Sequence, residues 1–596
     1  MRILYVLIIF SAVNNYIFAQ TNTSVPLSDA VYQIIDHAEL RGLCGPLPKV
    51  KPYSRTTVLR ILGQIESADS GRYLLSGAER ETIRLAKARL QKEETGLHLA
   101  KGFYRLQTET GNGTRISAEA GFGLETRLSG GIYLQDSEHG AGFVPGLDFW
   151  PLFRIAGDIG ENFSYGFAIH GGAMYANRAY MGENYLYYDG YEPEGYTSGD
   201  TLPQEKMEVL THPRAFIPYS YHGKWDGIVW EVPHINNSDF LVWPKNLSIG
   251  YGTYSEFAGN FFSGIVTYRI GRMEREYGGM VSGYSMTLNA AAQPFLGFDV
   301  IVSPFSWLTI SSVTGILEFY SLHGEKISPQ TFQNAYSLSQ IELNYKNYIH
   351  LSFGSTVVWP KRFELAYMIP LIDKHLYQMN IGDFDNTAEF ANLKLQLPGI
   401  GSLWGALFLD EINPEPNIFE LDRALYAFQA GVAINIPPLP FGSIVLSYTK
   451  IEPYTYSHPK TEVPWYGTPM EEAFVNHGDP LGYYLKPNSD EIKAAFRFMP
   501  HPRVQFHAQY QLIRHGAEIG GSQVDGSSYY SELGKDRSVD PHYRKYFLHD
   551  GAYEWNHIIR AGAGWDVPRT LMHLFAEAGF ALSSYTDITE GSPNDG

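Results

Sequence analysis

The chain has 596 residues but a single cysteine, Cys44, and charged side chains make up only 18% of it. One cysteine excludes an intramolecular disulfide and any cysteine-based zinc cluster, which leaves a packed small hydrophobe as its expected role. Basic residues are outnumbered, 45 Lys and Arg against 63 Asp and Glu, for a formal net charge of −18. The basic footprint of a nucleic-acid partner is therefore missing. Beyond residue 20 there is also no apolar run that could span a bilayer as a helix, since even 290–310 is broken by Gln293, Pro294, Asp299 and Pro304. If this chain enters a membrane, it must do so as a barrel. No P-loop, nucleophile elbow or dinucleotide fingerprint occurs, and no cofactor is expected.

Aromatics and glycine are abundant instead: 42 Tyr, 34 Phe and 59 Gly, with 44% hydrophobic residues overall. Such a composition suits one large β structure. The start, MRILYVLIIFSAVNNYIFAQ, carries Arg2, an apolar run from Ile3 to Val13 and a small residue at Ala19. Residues 1–20 read as a secretory signal peptide; an uncleaved anchor stays open because Ala19 fits the A-x-A rule poorly. Residues 21–100 read as a small helical bundle. Ser28 is expected to cap a segment that ends at Gly42, Ser54 precedes Val58, Leu59, Ile61, Leu62 and Ile65, and Ser76 with Glu79 forms a capping box.

From about Lys101 the hydrophobic period switches to two, and roughly 18 alternating runs can be placed near the ~9–11 residues of a tilted membrane strand. In RVQFHAQYQLI, Val504, Phe506, Ala508, Tyr510 and Leu512 share one face. Arg503, Gln505, His507, Gln509 and Gln511 share the other. Very short links, such as Gly160 to Asn162, Pro304 to Trp307, Tyr345 to Tyr348, Pro398 to Ser402 and Met499 to Pro502, alternate with long polar ones, including 177–224, 360–386, 452–488 and 515–550. That asymmetry belongs to an outer-membrane barrel and has no reason to exist in a sandwich. The expected fold is thus an all-β transmembrane barrel of about 18 antiparallel strands over 101–587, preceded by the helical bundle as a periplasmic plug and followed by a polar tail, 588–596. Its apolar face would meet outer-membrane lipid, and Arg503, Gln505, His507, Gln509 and Gln511 would line a wet interior. One strand walk fails: if Trp565 to Thr570 is a short inner turn, the last run finishes outside, unless a crossing hides within His515 to Asp550.

The stretch YRIGRMEREYGGMVSGYSMTLNAAAQPF, Tyr268 to Phe295, resembles the Wzi family of outer-membrane capsule-assembly proteins through Gly271-Arg272, Tyr277-Gly278-Gly279 and Ser285 to Leu288. FELAYMIPLI (Phe363 to Ile372), DFDN (Asp383 to Asn386), YTKIEPYTYSH (Tyr448 to His458) and NHGDPLGYYL, with His477, Gly478, Leu481 and Gly482, are similar in the same order. The resemblance implies a barrel of about 18 strands closed from the periplasmic side by helices, and attachment of capsular polysaccharide without catalysis. These motifs read as structural, with Gly271 a strand glycine and Arg272 a lumen-facing arginine paired to a carboxylate.

No catalytic constellation is convincing. Asp410 and Glu411 read as solvated strand-end carboxylates, because adjacent residues on an extended chain diverge and cannot flank one glycosidic bond. His477 and Asp479 lack the spacing of a metal site and read as loop-folding residues. For a glycan, NYLYYDGYEPEGY offers Tyr185, Tyr187, Tyr188, Asp189, Tyr191 and Tyr196, and a later loop offers Trp465 and Tyr466. Aromatic rings can lie on sugar faces while carboxylates and hydroxyls bond sugar hydroxyls. The same tyrosines also suit an interfacial aromatic girdle. The reading is a monomeric, non-enzymatic anchor of surface polysaccharide, with a porin and a secreted carbohydrate-active protein as competitors.

Overall fold

The computed structural model describes residues 2–14, 22–69, 75–91, 96–98, 103–110, 114–134, 141–176, 247–290, 294–317, 334–360, 362–382, 385–411, 424–458, 461–462, 469–470, 472–476, 479–516, 526–527, 547–548, 554–568 and 572–585. One twenty-stranded antiparallel sheet dominates it. Setting aside Arg2–Asn14 and the three-residue Gly96–His98 leaves eighteen wall strands. The first nine are β1 (Phe103–Glu109), β2 (Arg115–Leu134), β3 (Ala141–Ile159), β4 (Phe163–Ala176), β5 (Leu247–Phe261), β6 (Val266–Met273), β7 (Phe295–Phe305), β8 (Leu308–Ile316) and β9 (Ala335–Tyr345). Next come β10 (Ile349–Trp359), β11 (Asn386–Leu397), β12 (Gly401–Glu411), β13 (Leu425–Asn435), β14 (Ser443–Ile451), β15 (Ser489–His501), β16 (Val504–His515), β17 (Glu554–Asp566) and β18 (Met572–Tyr585). Each pairs with its chain neighbours, so the wall is an up-and-down barrel with short turns at one end and long connections at the other.

Closure runs through the N-terminal segment. Arg2–Asn14 pairs along β18 (Arg2 opposite Ser584) and along the far half of β2 (Leu4 opposite Leu134), while β1 pairs with the near half (Phe103 opposite Gly121). β16 and β17 pair directly, His515 opposite Glu554, and Glu554 lies opposite Tyr585, so β18 does finish at the long-loop end, with Arg2–Asn14 antiparallel beside it.

The exterior is apolar. Phe122, Leu128, Phe298, Phe353, Leu393 and Leu403 are all exposed on outward faces. At the short-turn end Phe305 stacks on Trp307, and Tyr345, Tyr348 and Trp565 stand exposed beside other turns, as an interfacial aromatic girdle requires. No helix among the described residues is long and apolar enough to cross a membrane.

The N-terminal helices are α1 (Val31–Arg41), α2 (Arg55–Ser67) and α3 (Gly77–Leu90). Ser54 caps α2 by accepting from the Thr57 N–H, and the capping box of Ser76 and Glu79 is formed in both directions. Gly42 ends α1 at φ +74°. The N-cap position of α1 is Ala30 and not Ser28, and the Asp29 carboxylate accepts from the Val31 N–H (2.8 Å). The helices bury one core of Ile34, Ile35, Val58, Ile61, Leu62 and Ile83, with Cys44 inside it. Phe441, from the turn between β13 and β14, and Met499, at the short-turn end of β15, complete this core, so the bundle is docked on the short-turn end.

Two further helices, α4 (Leu365–Met368) and α5 (Lys374–Ile381), lie in the connection between β10 and β11. On β10, Val358 joins the core inside the barrel, whereas Val357 and Trp359 form a separate cluster with Tyr367 of α4. Successive strand residues face opposite ways, so this helical hairpin is folded against the outside of the wall.

Candidate functional site

The expected wet interior is only half present. On β7 to β14 the inward residues include Phe295, Val313, Leu338, Phe390, Phe408 and Ala427, all in one buried cluster. What they pack against is the chain itself. From the short-turn end come Leu40 and Val50 of the bundle; from the long-loop end come Tyr277, Tyr284 and Met286 of 274–290 and Tyr456, Phe474 and Leu481 of 452–485. Burying each large apolar side chain contributes roughly 1.5–3 kcal/mol, so this filling is a stable stopper.

The two intrusions are joined in mid-lumen. Val50 and Lys51 pair antiparallel with Tyr277 and Glu276, and the Gly278 N–H donates to the Lys49 carbonyl (2.9 Å). Gly278 adopts φ +77° at this turn, a conformation that favours glycine. Below it Asp299 accepts from Arg275 Nε (3.0 and 3.1 Å), Arg269 Nη2 (3.3 Å) and the Tyr277 hydroxyl. Arg269 and Arg275 are buried, and Arg269 also donates to the Pro52 carbonyl, so one carboxylate ties wall, infolded loop and bundle together.

A second knot holds α1. Glu39 lies 2.6 Å from Lys49 Nζ and 2.8 Å from Lys394 Nζ of β11, and the Gln396 amide donates to the Glu39 carbonyl. Burial pushes the Glu39 carboxyl up, but the two ammonium groups outweigh it and hold it well below the usual carboxylate range. His37 Nε2 lies 2.9 Å from Asn435 Oδ1 at the β13 turn. Burial, with Arg41 nearby, lowers the His37 imidazole to about 4, so it is neutral at pH 7. The Cys44 thiol is pushed up to about 12 by burial, which makes it an inert packing group.

The other side of the lumen, along β15 to β18, adds Ile513, Ile558 and Ala581 to the buried cluster but is otherwise rich in polar side chains. His507 Nε2 lies 2.8 Å from Glu577, with its ring stacked on Phe575. Gln509 donates to Gln511, which donates to Glu491 and to the Tyr484 hydroxyl (both 2.6 Å) and accepts from Arg560 (3.1 Å). Lys493 sits over the rings of Tyr284, Tyr483 and Tyr484. Arg503 lies in the tight turn before β16 rather than in the strand, and with Gln505, Arg89 and Asp566 it lines a cleft of about 290 Å³ between the bundle and the wall.

Several expectations need correction. Arg272 does not face the lumen: it shares the outward face of Ile270, and its guanidinium donates to the Thr253 carbonyl (3.2 Å). The inward position is Gly271, where a Cβ would meet the Ser255 carbonyl oxygen at 1.9 Å; the inward arginine paired to a carboxylate is Arg269. Asp410 is not a solvated carboxylate, being buried and accepting from the Tyr456 N–H of the infolded loop. Gly279 is buried against Glu276, and a Cβ on Gly482 would meet the Met286 carbonyl oxygen, so both belong to the stopper, as does Leu481. Tyr185, Tyr187, Tyr188, Asp189, Tyr191, Tyr196, Trp465, Tyr466, His477 and Gly478 lie outside the described residues. Among the described residues no group of three or more His, Cys, Asp or Glu could hold a metal ion.

No protein-family model and no curated protein sequence matches the chain. Among solved structures it is similar to Wzi of Escherichia coli, described as an outer-membrane protein involved in group 1 capsule assembly and a carbohydrate-binding β-barrel. The TM-score is 0.48 at 11% identity, over 95% of this chain and 100% of that one. It is also similar to OprD of Pseudomonas aeruginosa (TM-score 0.32, 10% identity, 84% of this chain and 98% of that one). OccK3 (OpdO) of the same organism gives a TM-score of 0.33 at 9% identity, over 78% of this chain and 94% of that one.

Proposed function

We propose that this chain is a monomeric outer-membrane barrel that anchors or organises surface polysaccharide without catalysing a reaction, and that it is exported with cleavage of a leader ending near residue 20, which removes the Arg2–Asn14 strand and leaves β18 to close on β1. The observation that carries the reading is the stopper: both intrusions meet at Val50 and Tyr277 inside the wall, which suits a holder of polymer and not a conduit for solute. Helices on the short-turn end serve as the periplasmic plug, and the long-loop end is the face offered to glycan. The motifs shared with the capsule-assembly family support that assignment, and the tyrosine-rich stretch 184–196 is the sugar-contacting segment we would test first.

The test is polysaccharide binding by the refolded barrel, measured on a glycan array with and without 184–196. Binding of an acidic or neutral capsular-type polymer that falls about tenfold or more on the deletion is expected, ~1.4 kcal/mol or above. If no polysaccharide binds the intact protein, the anchoring role is lost while the barrel stands.

A further inference from the structure

We propose that the helical hairpin 362–382 is embedded in the outer leaflet of the membrane, where it replaces a missing part of the barrel's lipid-facing belt. The first observation is a flaw in the wall. One register row crosses Val300, Ser312, Ser339, Ser355, Glu389 and Leu409 on β7 to β12. Its two ends are apolar and its four central members are polar. In the next row toward the long loops Phe298 is followed by Thr314, Ser337, Val357 and Thr387, three of these four again polar. Toward the short turns, by contrast, the outward row is Val302, Ile310, Ile341, Phe353 and Ala391. On β9 the outward face is therefore apolar only from Tyr345 to Ile341, about 13 Å of strand at ~3.3 Å per residue. That is roughly half of a belt ~25 Å tall.

Ser312, Ser337, Ser339, Ser355 and Thr387 of this patch are nevertheless buried, and the hairpin bonds three of them. Ser355 Oγ accepts from the Lys374 N–H (3.0 Å), Ser337 donates to the Tyr367 carbonyl (2.6 Å), and Thr387 bonds Gln378. Tyr367 packs on Trp359 and Tyr377, and the buried Lys374 ammonium donates to the Tyr367 carbonyl (2.6 Å) at the end of α4. At the base, Arg362 and the Tyr367 hydroxyl both bond Asp385 (2.7 Å each). The hairpin is thus fixed to the wall by polar bonds on its inner side.

Its other side is apolar and bare. Phe363 is 78% exposed, Leu365 58%, Leu371 61%, Leu376 61% and Met379 71%. Exposed apolar area of this kind needs an occupant. Continuity names it: Leu296 and Ile316, at the long-loop ends of the neighbouring β7 and β8, are exposed outward apolar residues beyond the polar row, so the lipid belt extends at least as far along the wall as the hairpin. Acyl chains meeting β7 on one side and β12 on the other must meet the hairpin between them, and an amphipathic helix with its apolar face in the boundary is stable there.

The experiment is site-directed spin labelling of the full chain, with Cys44→Ala as background, reconstituted in phosphatidylcholine vesicles. Accessibility to oxygen and to a water-soluble nickel chelate is compared at Leu376→Cys and Met379→Cys, with Leu393→Cys on the outer wall and Glu81→Cys on α3 as references. The oxygen-to-nickel ratio at 376 and 379 should match that at 393 and exceed that at 81 by about tenfold, as for residues buried ~5–10 Å below the interface. A ratio at 376 and 379 equal to that at 81, with 393 still lipid-like, overturns the inference and leaves the patch to a protein partner. If 393 also reads as water, membrane residence fails for the whole barrel and the inference falls with it.

Discussion

The two sides of the lumen are built from the same kind of strand yet solve opposite problems. Along β7 to β14 the inward face carries a buried apolar cluster, including Phe295, Val313, Leu338, Phe390 and Phe408, that meets other parts of the chain, so the burial of these residues is driven by loss of water. Along β15 to β18 Ile513, Ile558 and Ala581 still join that cluster, but between them runs a bonded polar network that includes His507 with Glu577 and Gln511 with Glu491. A barrel interior is therefore set by what fills it and not by strand alternation alone. The filled side makes the stopper; the cleft of about 290 Å³ at Arg503 and Arg89 lies where the bundle meets the short-turn ends of β15 to β18.

The comparison is broken most forcefully at Asp299. Replacing it by Ala leaves Arg269 and Arg275 buried without their carboxylate, and a loss of about 3–5 kcal/mol is expected, read as a lower midpoint for the heat-induced gel shift of the refolded barrel. An unchanged midpoint would mean the knot does not hold the stopper. Next, Leu40→Ala removes the bundle's apolar contact with the filled side and should cost about 2–5 kcal/mol, with faster hydrogen exchange across α1 as its signature.

The pH dependence is somewhat smaller and has a definite sign. The folded His37 imidazole titrates at about 4, below its ordinary 6.5, so between these values the undocked state binds a proton that the docked state does not. Docking of α1 is then fully stable above pH 6.5 and loses roughly 3 kcal/mol as pH falls to 4. Glu39 acts only below this window, since its contribution is present above the ordinary carboxylate range and lost as pH falls beneath it. Exchange of α1 amides at pH 7 and pH 5 measures the difference, and His37→Gln should flatten it. On the polar side, Gln509→Ala removes one part-buried bond to Gln511 and should change stability by only about 0.5–1.5 kcal/mol. A larger loss there would erase the distinction between the two sides.

The wall was legible because lipid imposes alternation, and the tight turns fixed which end was which. The stopper was much less so. On β9 both faces carry apolar residues, Leu338 inward and Ile341 outward, so local alternation cannot reveal a filled interior. Arg272 shows a related limit: a Gly-Arg pair has no face until its strand is anchored, and Ser255 leaves the inward place to Gly271. FELAYMIPLI hid the outer hairpin for another reason. Its helix α4 is four residues long, below the length at which helical spacing can be recognised, and it sits in a connection read simply as a long polar link. Asp410 was misjudged because its partner, the Tyr456 N–H, lies 46 residues away. Contacts made by loops folded back through a barrel leave no local pattern.

The central claim is that the lumen is closed by its own chain, and planar-bilayer recording of the intact refolded protein tests it most directly. The bundle on the short-turn end and the infolded 274–290 should keep the intact barrel silent. Conductance steps should arise only when 21–97 is deleted together with shortening of 276–290. Large, stable steps from the intact chain would contradict the stopper and make this barrel a channel.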